Sequence, residues 1–264
     1  MPVTLDQILT STQRGVEALR PRQPELAHAA AAAPAAISFV DALRGVRVAV
    51  IGEVKRRSPS AGSLREDLDP AERAALYARH WAAAVSVLTD APFFGGSIED
   101  LARAARQVAG AVPLLRKDFI LDELQITEAR AAGASAVLLI VRALRPERLP
   151  RLLATAADLG LDALVEVHTE PELDAAVAAG AGVIGINSRD LDTFRIDVES
   201  AWRLLARVPP DRIAVAESGM ATPADVERAA AAGADAVLIG SALSIASDPG
   251  RLLQALSEVR RRGR

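Results

Sequence analysis

The chain has no cysteine, which excludes disulfides and any chemistry that needs a thiolate. It has three histidines, His28, His80 and His168, scattered along the sequence and poorly placed to form a zinc site. No motif calls for a metal or an organic cofactor, so none is expected. No uncharged apolar run is long enough to span a bilayer, and Met1 to Thr10 lacks the basic-then-apolar layout of a secretory signal. A cytoplasmic protein with no membrane partner is therefore expected. There is no positive excess either. The net charge is −3, and the one dense basic run, Arg260 to Arg264, reads as a solvated helix end, so nucleic-acid binding has little electrostatic support. Lysine is the most telling scarcity: two residues, Lys55 and Lys117, against 29 arginines. Arginine stays charged, whereas lysine can release a proton when its surroundings shift its pKa. A lysine kept in such a chain suggests proton transfer or a compact point charge.

What is present is apolar. Half of the 264 residues are hydrophobic, ample for a packed core in one large domain or two small ones. The stretch Val46 to Ser60 opens as a β-branched apolar run and ends in charge, as a strand does when it is buried on both faces and opens into a site. Glu53 and Lys55 close it. Two residues apart on a strand, their side chains project to the same face. Ser58, Pro59, Ser60 and Gly62 then form a loop. Taken alone, Glu-x-Lys is as readily a surface ion pair.

Before this strand, Leu5 to Leu19 has helical spacing, Glu25 to Ala33 is alanine-rich and stops at Pro34, and Ser38 can cap a short helix carrying Phe39, Ala42 and Leu43. Residues 1–45 read as a helical cover and 46–264 as the main domain. There the pattern alternates. Helices are expected at Pro70 to Ala84, Ile98 to Val108, Leu124 to Ala132, Leu149 to Leu159, Pro171 to Ala179, Ser200 to Val208, Pro223 to Ala232 and after Pro249. Strands are expected at Val85 to Thr89, Val112 to Leu115, Ala136 to Val141, Ala163 to Val167, Val183 to Ile186, Ile213 to Ala216 and Ala236 to Ile239. Counted from Val46, that is strand then helix eight times, an α/β (β/α)8 TIM barrel with an N-terminal helical extension. Ala-Ala-Gly-Ala recurs at Ala131, Ala178 and Ala231, each time between a helix and a strand. A doubly wound open sheet is the alternative, but no Gly-x-Gly-x-x-Gly follows the first strand.

In a barrel the C-terminal strand ends share one mouth, where function concentrates. They deliver Glu53, Lys55, Asp90, Lys117, Arg142, Glu166, Asn187, Glu217 with Ser218, and Gly240 with Ser241. The opposite ends carry no comparable cluster. Ser218, Gly219, Gly240 and Ser241 are small residues whose backbone N–H groups can approach an anion, and loops after the seventh and eighth strands are a recurrent phosphate site; small residues also serve tight turns. Phe93, Phe94, Phe119 and Phe194 fall in loops after strands and offer an apolar wall to a flat substrate. Trp81 and Trp202 fall in helices and are expected in the core.

These residues resemble indole-3-glycerol-phosphate synthases. Val50 to Ser60, Phe93 to Ser97, Leu115 to Ile120, Glu166 to Thr169, Gly185 to Asn187 with Arg189, and Glu217 to Gly219 match that family's motifs in order, across about residues 46 to 250. The resemblance implies ring closure of 1-(2-carboxyphenylamino)-1-deoxyribulose 5-phosphate to an indole, with loss of carbon dioxide and water, in tryptophan biosynthesis. It implies Lys117 as general acid, Glu166 as its acid–base partner and Lys55 as the holder of the substrate carboxylate. Glu53 would orient Lys55, and Asn187, Arg189, Glu217 and Ser218 would position the substrate. Ser58, Phe93, Phe119, Gly219, Gly240 and Ser241 complete the expected binding set. The partner is then a phosphorylated aromatic small molecule, and the chain a monomer or weak homodimer. Arg57, Ala61, Leu124 and Ser188 depart from the family's common residues without removing an expected catalytic group. A phosphoribosylanthranilate isomerase would share the barrel but typically uses a cysteine, and a catalytically silent barrel would be expected to have lost a lysine or Glu166.

Overall fold

The computed structural model describes residues 3–58, 62–191 and 193–263; Pro59, Ser60 and Ala61 of the opening loop lie outside them. Eight strands form a closed, all-parallel barrel: β1 (Ala49–Val54), β2 (Ala84–Leu88), β3 (Leu114–Lys117), β4 (Ala136–Ile140), β5 (Asp162–Val167), β6 (Val183–Asn187), β7 (Ile213–Glu217) and β8 (Ala236–Ile239). Each strand pairs with its neighbours in sequence, and β8 returns to β1 with Ala49 opposite Ala236. Eight helices pack outside: Pro70–Arg79, Ile98–Val108, Glu123–Ala131, Arg148–Asp158, Glu170–Ala178, Val198–Leu205, Pro223–Ala231 and Pro249–Ser257. Among the described residues no helix is long and apolar enough to cross a membrane.

The period of two along each strand sorts the side chains into two cores. Val50 and Val54 face the outer helices, whereas Ile51 faces the barrel axis with Leu115, Leu138, Leu164, Val183, Val215 and Leu238. The same rungs continue upward to Glu53, Lys117, Glu166, Asn187, Glu217 and Gly240, each two or four residues further along its strand. The alternation that fills the axis with apolar side chains therefore also aims the polar ones at the mouth.

The Ala-Ala-Gly-Ala echo has the expected form: Gly133, Gly180 and Gly233 all have φ between 84° and 101°, ending their helices in the left-handed conformation before the next strand. Three expectations need correction. The helix from Pro70 stops at Arg79 rather than Ala84, because the N–H groups of His80 and Ala82 both turn back onto the Tyr77 carbonyl. Trp81, expected in a core helix, sits in that turn at φ 72° and is 55% exposed. Trp202 is helical and half-buried, its indole 4.7 Å from the Arg228 guanidinium. The first strand begins at Ala49; Val46 is exposed, and Arg47 forms only an isolated bridge with Arg260.

The N-terminal segment spans the barrel from end to end. Helix Leu5–Leu19, started by a Thr4–Gln7 capping box, turns Leu5 and Ile8 inward at the mouth. Helix Gln23–Ala32 lies along Glu123–Ala131, where Arg130 donates to the Ala33 carbonyl at 3.0 Å. The short helix Phe39–Ala42 closes the other end: Phe39 and Leu43 are fully buried in the axial core, and Asp162 at the start of β5 accepts the N–H groups of Phe39 and Val40 at 2.8 and 3.0 Å.

Candidate active site

The upper rungs open into a cavity of about 390 Å³, within the size range of small-molecule sites. Its floor is ionic. Lys55 Nζ lies 2.7 Å from Glu53 Oε1, the pairing that the Glu-x-Lys spacing on β1 predicts. Lys117 Nζ, from β3, lies 3.1 Å from Glu166 Oε2 on β5 and 3.8 Å from Glu217 Oε2 on β7. Asn187, from β6, donates to Glu166 Oε1 at 3.1 Å, and its own carbonyl accepts the Arg189 N–H at 3.0 Å. The Arg189 guanidinium donates to the Phe194 carbonyl at 3.2 Å, tying the loop after β6 across itself.

These neighbours set different protonation states on like groups. Burial disfavours the Lys117 ammonium, but Glu166, Glu217 and Glu53 outweigh it and raise the pKa well above that of an ordinary lysine. Burial likewise opposes the charge of Glu166, yet Lys117, His168 and the Asn187 amide outweigh it and bring the group below the usual carboxylate range. For Glu217, burial and the neighbouring charge of Glu166 act together and raise the pKa well above the ordinary value, with Lys117 offsetting only part. Glu217 Oε1 is also buried without a hydrogen-bond partner among the described residues, a position that suits a neutral acid better than an anion. Around Lys117 the floor thus sets an ammonium, a carboxyl group shifted toward its ionised form and one shifted toward its protonated form within reach of each other, a separation of acid and base roles by environment.

The walls are apolar. Asp90 accepts the N–H groups of Phe93 and Phe94 at 2.7 and 3.0 Å and starts a short helical turn, Ala91–Phe94, that ends at Gly95. That turn brings Phe94 onto the cavity wall, its ring centroid 6.4 Å from that of Phe119. Phe93, the expected contact, does not line the cavity. Every other expected site residue does: Glu53, Lys55, Ser58, Lys117, Phe119, Glu166, Asn187, Arg189, Glu217, Ser218, Gly219, Gly240 and Ser241. On the β7 and β8 side, Ser218 and Gly219 both have positive φ, 66° and 76°, a strained setting for the serine. A Cβ on Gly240 would lie 2.2 Å from Glu53 Oε1 and 3.1 Å from Lys55 Nζ, so this glycine is also required by the ion pair passing over it.

Leu5 and Ile8 line the cavity although no motif marks them; the apolar face of their helix is the one signal in the sequence. Asp90 also lines it, from a strand end with no other mark. His168, one of three scattered histidines, lies two residues past Glu166 and 3.5 Å from its carboxylate.

Residues 5–256 match the family described as indole-3-glycerol phosphate synthase. The chain is 51% identical over 234 residues to indole-3-glycerol phosphate synthase 2 of Streptomyces coelicolor, covering 89% of this chain and 90% of that one. It is 46% identical over 258 residues to indole-3-glycerol phosphate synthase of Desulfosudis oleivorans, covering 96% and 97%. Among solved structures, 3-hexulose-6-phosphate synthase from Salmonella typhimurium superposes with a TM-score of 0.62 at 15% identity, covering 80% of this chain and 97% of that one, a likeness of fold.

Proposed function

The chain belongs to the indole-3-glycerol phosphate synthase family, and on that premise we propose how its residues divide the work of the reaction. It is a carboxy-lyase of tryptophan biosynthesis, closing 1-(2-carboxyphenylamino)-1-deoxyribulose 5-phosphate to indole-3-glycerol phosphate with release of carbon dioxide and water. In our reading the substrate's flat ring lies against Phe94 and Phe119. Its phosphate meets the backbone of Ser218, Gly219, Gly240 and Ser241, and its carboxylate draws Lys55 away from Glu53.

Ring closure joins the carboxylate-bearing ring carbon to the ketone carbon and leaves negative charge on the ketone oxygen. Lys117 donates its proton there. Its neighbours keep it protonated at working pH, and the developing alkoxide is basic enough to take the proton. Loss of carbon dioxide restores the aromatic ring. The new hydroxyl then leaves as water, which requires an acid at the oxygen and a base that takes a proton from the methylene carbon beside the nitrogen, since the indole keeps its N–H. Glu166, held ionised, serves as the base, and Asn187 orients it. Glu217, held neutral, positions the substrate by donating a hydrogen bond. Arg189 and Ser58 flank the bound ligand. We place the enzyme in the cytoplasm, acting as a monomer or weak homodimer without nucleic acid.

The observation that carries this reading is the half-buried Lys117 ammonium 3.1 Å from Glu166, in a cavity that Phe94 and Phe119 also line. The experiment is steady-state formation of indole-3-glycerol phosphate by wild type and Lys117→Arg. Arginine keeps the charge and gives up its proton far less readily. The expected result is a folded variant with turnover lowered on the order of 10³-fold; near-normal turnover removes the general-acid assignment.

A further inference from the structure

Just past the end of β5, two residues beyond Glu166, comes His168, whose side chain is 4% exposed. The imidazole stands between two carboxylates. Its Nδ1 lies 3.3 Å from Glu172 Oε2, which also accepts the His168 backbone N–H at 2.7 Å. Its Nε2 faces Glu166 Oε1 from 3.5 Å and is buried with no hydrogen-bond partner among the described residues. Behind the ring, Glu172 Oε1 accepts from Arg142 Nε at 3.2 Å, and Arg142 Nη1 donates to Asp190 Oδ2 at 3.0 Å, in the loop that also carries Arg189. Ahead of it, Lys117, Asn187 and Glu217 crowd the same Glu166 carboxylate. A sealed ring nitrogen without a partner is unusual. This one is aimed at the carboxylate read above as the base.

We propose that His168 is a positioning residue for Glu166: donation from Nε2 keeps the carboxylate ionised and aimed at the substrate, while Glu172, Arg142 and Asp190 fix the ring and connect it to the loop after β6. The two ring nitrogens can donate to both flanking carboxylates only when each carries a hydrogen. The 3.5 Å separation is long for a hydrogen bond, and such contacts commonly tighten when substrate is bound. Burial works against the charge on Glu166, and His168 follows Lys117 among the charges that offset it. On the other side, burial also opposes the charge of Glu172, but the two bonds from His168 and the charges of His168 and Arg142 lower its pKa to about 2, so it remains an acceptor throughout the working range.

The proposal rests on Glu166 being the acid–base group, and the test separates the two. It compares the pH profiles of kcat/KM for wild type, His168→Asn, His168→Gln and Glu166→Gln, with folding checked by circular dichroism and thermal melting. Asparagine keeps an amide near the Nδ1 position and has nothing at Nε2, whereas glutamine carries its amide to about the Nε2 position. His168→Asn is expected to lower kcat about tenfold with little change in KM, and to move the acid limb up by about one pH unit as Glu166 protonates more readily. His168→Gln should recover part of both. A His168→Asn enzyme with the wild-type acid limb overturns the proposal even if it is slow, because loosened packing alone would not move that limb. Full turnover in Glu166→Gln removes the reading of Glu166 and this proposal with it. An inactive Glu166→Gln beside an unshifted His168→Asn removes the proposal alone. If the His168 variants do not fold, the ring nitrogen-15 spectrum of the wild-type protein decides, with the other two histidines assigned by His28→Gln and His80→Gln. Hydrogen on Nε2 supports the bridge, and hydrogen on Nδ1 alone overturns it.

Discussion

Both ends of the barrel bury carboxylates, but they treat them differently. At the closed end, Asp162 accepts two backbone N–H groups from the helix that plugs the barrel. Asp235 accepts the Ala214 N–H at 2.8 Å and pairs with Arg261. Each has its donors supplied. At the mouth, Glu53, Glu166 and Glu217 share two lysines, Glu217 Oε1 has no hydrogen-bond partner among the described residues, and the pKa of Glu217 is pushed well above its ordinary value. The closed end uses carboxylates to join chain segments distant in sequence. The mouth leaves one of its three carboxyl groups, Glu217, with an oxygen that has no hydrogen-bond partner among the described residues, so that an incoming substrate can complete it.

This contrast can be tested from the closed end first. Asp235→Ala strands the buried Ala214 N–H and unpairs Arg261, and should lower stability by about 3 kcal/mol in chemical denaturation, with turnover of the folded enzyme within about twofold of wild type. A matching loss of turnover would mean that the two ends are not independent. Asp162→Ala removes two capping bonds from Phe39–Ala42 and should cost about 1–2 kcal/mol, again without changing the rate. Here the sensitive readout is amide exchange at Phe39 and Val40, which should quicken before any global change; unchanged protection would show that the plug is held by Phe39 and Leu43 packing alone.

The same contrast explains what could be read from the sequence. Strand–helix alternation gave the barrel, and period two gave the Glu53–Lys55 pair, because both are local regularities. The approach of Lys117 to Glu166 joins residues 49 apart; it was legible only because the barrel brings every strand end to one mouth. The closed end shows no polar cluster in the sequence, since the partners of Asp162 and the Arg261 partner of Asp235 come from near the two chain ends, which no strand pattern marks. Phe93 and Phe94 are indistinguishable in the sequence because a four-residue turn has too little periodicity to say which ring points inward. Trp81 reads as helical in the sequence because Ala82 to Ala84 extend an apparent helical face, and only the turn at Tyr77 shows that they lead into β2.

The smallest expected effect bears most directly on the mouth. In the folded protein the pKa of Glu217 is raised above its ordinary 4.5, so over the interval above 4.5 the folded state keeps a proton that the unfolded state has released. The contribution of Glu217 to folding stability then falls as pH rises through that interval. Glu166 and Glu172 are displaced the other way. Their contribution is in place above about 4.5 and is lost only at lower pH, so measurements between pH 5 and 7 leave it constant. Glutamine at position 217 cannot titrate, and its amide can still donate to the Glu166 carboxylate. Glu217→Gln should therefore gain on wild type by about 1 kcal/mol between pH 5 and 7, measured by urea unfolding at the two pH values. If the two proteins instead keep a constant difference across that range, Glu217 is an ordinary carboxylate, and the mouth satisfies its acids as fully as the closed end does.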